Sequence, residues 1–192
     1  MTKITFSHLS LVALLPACQD AAVTKQTQEI ETRVVASITR ALADSVDQPT
    51  TTYVVTTLHT WYQSKVPNTI KLNPKTEGIY TTHAAILKEA ARQSARFAQH
   101  PGLSPERKTS IAAGYQKLVD ASTANITELT NLATSGSSMS EAEQLQYVST
   151  LADKETRQLA LVKYYGQRTS SQLARVEQAR RDEELKHKAW GY

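Results

Sequence analysis

The stretch that decides the fold is residues 141–188, "EAEQLQYVSTLADKETRQLALVKYYGQRTSSQLARVEQARRDEELKHK". It contains no proline and a single glycine, Gly166, so no strong signal ends a helix within it. A seven-residue repeat of alternating four- and three-residue steps continues for more than four heptads, through Leu145, Val148, Ala152, Glu155, Leu159, Val162, Gly166, Thr169, Leu173 and Val176. The pattern predicts one helix of about 47 residues, about 70 Å long.

Three positions weaken the seam that this repeat creates. Glu155, Gly166 and Thr169 contribute little apolar surface, so we do not expect a self-sufficient coiled coil. We expect a packed helical hairpin with a protruding tip, formed with the helix that precedes this one. Because the last helix is the longer of the two by nearly half, its end either projects beyond the body or is covered by another helix, from this chain or another.

Four shorter helices are predicted upstream. Periodicity and end signals place three of them at residues 20–46, 80–99 and 104–134. Residues 50–65 are rich in β-branched and aromatic side chains, which favour a strand, but Val54, Leu58 and Trp61 share one helical face and a lone strand would have no partner. We therefore predict a helix there, and an irregular loop over residues 66–79. The expected fold class is all-α, an elongated bundle of about five helices.

Composition bounds the function classes. The chain has 192 residues and a formal net charge of +4. Its basic residues are interleaved with acidic ones, and it lacks an arginine-rich run or a stacked aromatic platform, so we expect no nucleic-acid partner. An anionic membrane surface or a cell-wall polymer is the more natural counterpart for a modest positive excess.

The start of the chain has the features of a secretory signal. Lys3 supplies a positive charge, residues 4–15 are mostly apolar, and "LVALLPACQD", residues 11–20, closes the segment. The apolar run is shorter than the roughly 20 residues that span a bilayer. Its last four residues, Leu15-Pro16-Ala17-Cys18, resemble the lipobox of bacterial lipoproteins. We therefore expect a signal peptide over residues 1–17 and a single all-α domain over residues 18–192.

The lipobox resemblance has direct implications for Cys18. In that family the cysteine sulfur carries a diacylglyceryl group, and cleavage makes the cysteine the first residue, whose amino group can also be acylated. Cys18 is the only cysteine, and a triacylated residue would anchor the protein without a transmembrane helix. Gln19 stands where many inner-membrane lipoproteins carry Asp, so the resemblance implies an outer-membrane protein facing the periplasm.

No reaction centre can be identified from the sequence. His59, His83, His100 and His187 lack the helical spacing of zinc proteases, and we interpret His59 and His83 as ordinary packed rings. There is no phosphate-binding glycine loop and no nucleophile elbow. We accordingly expect no catalytic, cofactor-binding or metal-ligating residues, no small-molecule substrate and no cofactor.

The second half of the last helix is the best candidate for binding. Residues 163–188 hold seven Lys or Arg against four Asp or Glu, with Tyr164, Tyr165, Trp190 and Tyr192 inside or just beyond them. This segment is either a solvated face or a contact surface for an anionic membrane or an envelope protein. The expected function is a lipid-anchored, non-catalytic binding or scaffolding module. The alternative is a soluble periplasmic accessory of a secretion apparatus, since the predicted architecture is similar to that of minor pilus proteins of conjugation systems.

Overall fold

The computed structural model describes residues 15–134 and 138–191, and for residues 15–22 it gives only the course of the backbone. Six helices run through these ranges, and neither range contains a strand. They are α1 (Leu15–Leu42), α2 (Gln48–Gln63), α3 (Asn68–Lys71), α4 (Pro74–Ala98), α5 (Pro105–Thr134) and α6 (Glu141–Trp190). The prediction of an elongated all-α bundle with a long last helix is confirmed.

Side chains at the helix starts explain why the chain turns where it does. Asp47 accepts a 2.8 Å hydrogen bond from the backbone N–H of Thr50, and proline occupies the first turn of α2. Ser140 and Glu143 form a reciprocal capping box at the start of α6. The ambiguous segment 50–65 is thus helical, because it has a strong cap and buries one face that includes Val54, Leu58 and Trp61.

The prediction of an irregular loop over residues 66–79 is wrong. Pro74 begins α4 instead of breaking a helix, with Asn73 as its cap, and residues 68–71 form the short helix α3. Lys71 is buried, and its ammonium donates hydrogen bonds to the carbonyl oxygens of Tyr62 (3.2 Å) and Ser64 (2.6 Å) at the end of α2. Prolines at helix starts and a lysine that binds terminal carbonyls therefore give this connection a fixed structure.

The helix directions define two ends of the bundle. Arg33 of α1 pairs with Glu77 in the first turn of α4, and Thr69 of α3 bonds to Glu141, the first residue of α6. These contacts place the starts of α4 and α6 at the same end of the bundle, which we call the proximal end. The first residues of α1 lie on this side as well. The opposite, distal end comprises the α4–α5 connection, residues 99–104, and the part of α6 beyond Glu177.

Two apolar clusters fill the interior. The larger joins α1, α2, α3 and α4 to the second half of α5 and the first half of α6, around the fully buried Trp61 and Tyr80. The smaller joins α4, α5 and the middle of α6, around Phe97, Tyr115 and Val162. Both clusters end before the last turns of α6, so the core holds α6 only over its first two thirds.

Candidate functional site

The middle of α6 fits against α5 through two reciprocal glycine–tyrosine contacts. Tyr165 lies over Gly114, where an added Cβ would come within 2.6 Å of the ring carbon Cζ. Tyr115 lies over Gly166, where an added Cβ would be 2.9 Å from the hydroxyl oxygen. The two rings pack edge to face at 4.8 Å. The missing side chain of Gly166 was expected to weaken the seam. It instead makes room for the ring of Tyr115, which fixes the register of α6 against α5.

A buried polar network lies about one and a half heptads from these glycine–tyrosine contacts, toward the proximal end of the bundle. The Ser122 hydroxyl donates to Glu155 at 2.7 Å, and the Asn125 amide donates to the other carboxyl oxygen at 2.8 Å. His83 Nδ1 lies 2.7 Å from the same hydroxyl oxygen, and since the single hydroxyl proton points to Glu155, His83 is the donor there. The seam position Glu155 is fully buried with partners, and it joins α4, α5 and α6.

Burial shifts the pKa of both titratable members of this network, His83 and Glu155. Desolvation lowers the pKa of His83 to about 4, so the ring is neutral at pH 7. Desolvation raises the pKa of the Glu155 carboxyl, and the hydrogen bonds from Asn125 and Ser122 offset part of that rise. A raised carboxyl pKa was not foreseen from the sequence, which gives no sign that a seam glutamate is dehydrated.

This network combines a histidine, a serine and an acid, but its geometry suits a structural role. The serine lies between the other two, and its proton is directed at the carboxylate and not at the histidine that would have to accept it. His83 is 1% exposed, and Ser122 and Glu155 are 0% exposed. The network therefore offers no nucleophile at the surface.

The other histidines have different partners. His59 contacts Glu31 of α1, and His100 Nε2 lies 3.3 Å from Glu177 of α6. His83, at 1% exposure, is more deeply buried than the ordinary ring expected from the sequence. Within the described part of the chain, no three His, Cys, Asp or Glu side chains are grouped so that they could hold a metal ion.

The last turns of α6 extend beyond the packed body. Every residue from Gln178 to Gly191 is exposed, and Glu177 carries the last ion pair between α6 and the body among the described residues. The thirteen residues from there to Trp190 extend about 20 Å. They include Leu185 at 63% and Trp190 at 75% exposure. The predicted protruding tip is confirmed, and we call residues 178–190 the α6 tip.

Two surface grooves flank α6 before the tip. The groove between α4 and α6 has a volume of about 520 Å³ and is lined by Arg92, Arg96, Lys163, Gln167 and Ser171, among others. The groove between α5 and α6, about 640 Å³, has Ile111 and Leu173 in its wall and Arg107 and Arg168 along it. Both grooves are therefore basic, and the second is also partly apolar.

The predicted lipid site lies at the other end of the molecule. The backbone of Cys18 belongs to α1, but its side chain is outside the described part of the structure, as are residues 1–14 of the predicted signal peptide. Across the residues that were described, no helix is long and apolar enough to cross a membrane. No protein family, curated protein or solved structure matches this chain.

Proposed function

We propose that this protein is a lipid-anchored, non-catalytic module of the bacterial cell envelope that binds a partner protein through the α6 tip. The observation that carries the proposal is the unpacked end of α6, where a tryptophan and a leucine are exposed on a segment that buries nothing in the described part of this chain. Tryptophan dominates binding hot spots far more often than chance would give. A partner that covers these residues would recover the apolar burial that the body does not supply.

The mode of binding follows from the tip's structure. Short isolated helices are marginal in water, and here the packed part of α6 supplies the nucleus from which the tip continues. A helix presented in this way binds by entering a groove or by pairing with another helix. Its mixed charges, with Arg180, Arg181, Lys186 and Lys188 around an acidic group at 182–184, favour a polar partner surface with an apolar centre.

The anchor is proposed from the Leu15-Pro16-Ala17-Cys18 sequence. Acylation of Cys18 would hold the start of α1 at a membrane, and the resemblance to lipoproteins favours the outer membrane, on the periplasmic side. Since α1 begins at the proximal side and α6 ends at the distal end, the tip would point away from the anchored end. At about 75 Å for 50 residues, α6 is long enough to separate the two functions.

Two measurements test the two parts of this proposal separately. Intact-mass analysis of the membrane-extracted protein should give a chain that begins at Cys18 and carries acyl mass, and Cys18→Ser should abolish both processing and detergent partitioning. An unprocessed chain from Met1 would contradict the anchor, and a processed, unacylated chain would favour the alternative of a soluble secretion accessory.

For the tip, crosslinking in cells at position 185 or 190 should capture one recurrent envelope protein. Crosslinks from the matched exposed position Tyr53, in α2, should not capture it. Equal capture of this protein from the tip and from position 53, or no capture from the tip, would contradict binding through the tip.

A further inference from the structure

Charge is distributed unevenly along the bundle. The distal parts of α4, α5 and α6, short of the tip, are residues 88–110 and 157–177, and they hold nine Lys or Arg against three Asp or Glu. Residues 23–87 and 111–156 hold eight Lys or Arg against eleven Asp or Glu. The distal part of the body thus carries a net +6 while the rest of the body carries −3, a separation that the overall charge of +4 conceals. Such an asymmetry attracts an anion to one end of the molecule.

Within the distal part, the groove between α4 and α6 concentrates charge that is not neutralised. Glu89 is its only acidic lining residue, and it is occupied by the Arg92 guanidinium, at 2.7 Å, and by the Gln93 amide. Arg96 lies over the Phe97 ring, with 5.4 Å between its Cζ and the ring centroid. Arg96 forms no ion pair with a described carboxylate, and Lys163 acts on Glu89 electrostatically without a close ion pair. With three cations against one carboxylate, the groove keeps a net charge of +2.

The groove also supplies neutral hydrogen-bond donors beside these charges. Gln167 and Ser171 are exposed on the α6 wall, one and two turns beyond Lys163. Guanidinium, ammonium, amide and hydroxyl donors together are the set that binds phosphate oxygens. On the opposite side of α6, Arg107 and Arg168 line the second groove and are likewise without a described acidic partner. A chain of phosphates that leaves the first groove across α6 would meet them.

We propose that the α4–α6 groove binds consecutive phosphate groups of a flexible, linear anionic polymer. A groove suits an extended chain better than a flat bilayer, because a chain can enter it and contact Arg96 on the α4 wall and Lys163 on the α6 wall together. This proposal deepens the proposed binding role of the distal end, but it rests on the bundle body and not on the tip or on Cys18.

The experiment is a calorimetric titration of the full mature chain with long-chain inorganic polyphosphate, repeated at several salt concentrations. Replacing Arg96 and Lys163 by Gln should weaken binding at least 10-fold. It should also lower the slope of log affinity against log salt by about 0.7 for each phosphate that the variant no longer neutralises. The matched control, Arg40→Gln with Lys65→Gln, removes two exposed charges outside the distal part and should change the affinity less than 2-fold.

Four outcomes would overturn the proposal. The first is no binding at about 0.15 M salt, where surface charges are screened within about 8 Å, and the second is an equal loss of affinity in the control variant. The third is binding of anionic vesicles that depends on the same two residues. The fourth is tighter binding of single-stranded DNA than of polyphosphate at equal charge. Circular dichroism of each variant checks that it is folded. A chain truncated after Glu177 should retain polyphosphate binding. The proposal that the tip binds a partner and the proposal that the groove binds phosphates can therefore fail independently.

Discussion

The two parts of α6 have different surroundings. From Glu141 to Leu173 the helix packs against α4 and α5, and even its polar seam residue Glu155 is fully buried. From Gln178 to Trp190 the same helix lies outside the packed body, and even its tryptophan is 75% exposed. The burial of α6 therefore stops where α4 ends and α5 begins, at the distal end of the body. This difference marks the tip as the part of α6 that is available to a partner.

The packed part should be most sensitive at Glu155. Glu155→Ala leaves Ser122 and Asn125 without their common acceptor and opens a cavity, so we expect a loss of about 3 kcal/mol in the free energy of unfolding, measured by urea denaturation. Glu155→Gln keeps the volume and one acceptor oxygen, and should cost about 1 kcal/mol or less. Equal effects of the two variants would show that the hydrogen bonds of this network do not matter.

Acid should weaken the packed part through His83. The folded-state pKa of about 4 lies below the unfolded value of 6.5, so between these values the unfolded chain binds a proton that the folded chain does not. Stability should fall as the pH is lowered from 6.5 to 4, by up to about 3 kcal/mol in total. Glu155 acts in the opposite direction, because its pKa is raised in the folded state.

The contribution of His83 is isolated by comparison with a variant. His83→Gln should have a flatter dependence of the unfolding free energy on pH than the parent chain over this window, measured by urea denaturation at each pH. Because Glu155 is present in both chains, its opposing effect largely cancels in the difference. Parallel pH profiles would mean that His83 does not titrate with a depressed pKa in the folded protein.

The glycine contacts should have a smaller effect. At Gly166 an added Cβ would meet the hydroxyl oxygen of the buried Tyr115 at 2.9 Å, so Gly166→Ala should cost about 1–2 kcal/mol, once the higher helix propensity of alanine is counted. The matched control is Gly78→Ala in α4, where nothing lies within 4 Å of an added Cβ, and which should stabilise by about 0.5–1 kcal/mol. Thermal melts compare the pair, and a destabilised Gly78 variant or a stabilised Gly166 variant would refute this interpretation.

The smallest effect is expected at the tip. Truncation after Glu177 removes no buried side chain, so it should change the unfolding free energy of the body by about 0.5 kcal/mol or less. Chemical denaturation of the truncated and full-length chains makes the comparison. A loss of several kcal/mol would mean that the tip folds back on the body.

The sequence predicted the helices well because their signals are local. The Ser140–Glu143 capping box and the Asp47 cap each act within a few residues of the helix that they begin, and the seven-residue repeat lies within α6 itself. The loop prediction at 66–79 failed because Pro74 can begin a helix as readily as it ends one. The roles of Glu155 and Gly166 could not be foreseen, since they depend on Ser122 and Tyr115, which come from another helix. The charge separation along the bundle was equally hidden, because it depends on which helix ends meet.

The most direct test of the division of α6 is hydrogen exchange measured amide by amide on the isolated protein. The account predicts that amides from Val148 to Gly166 exchange only through global unfolding, with protection equal to the full unfolding free energy, while those from Gln178 to Trp190 exchange with little protection. Strong protection of the tip, equal to that of Val148, would show that it is packed in the isolated chain and would contradict the claim that it extends from the body toward a partner.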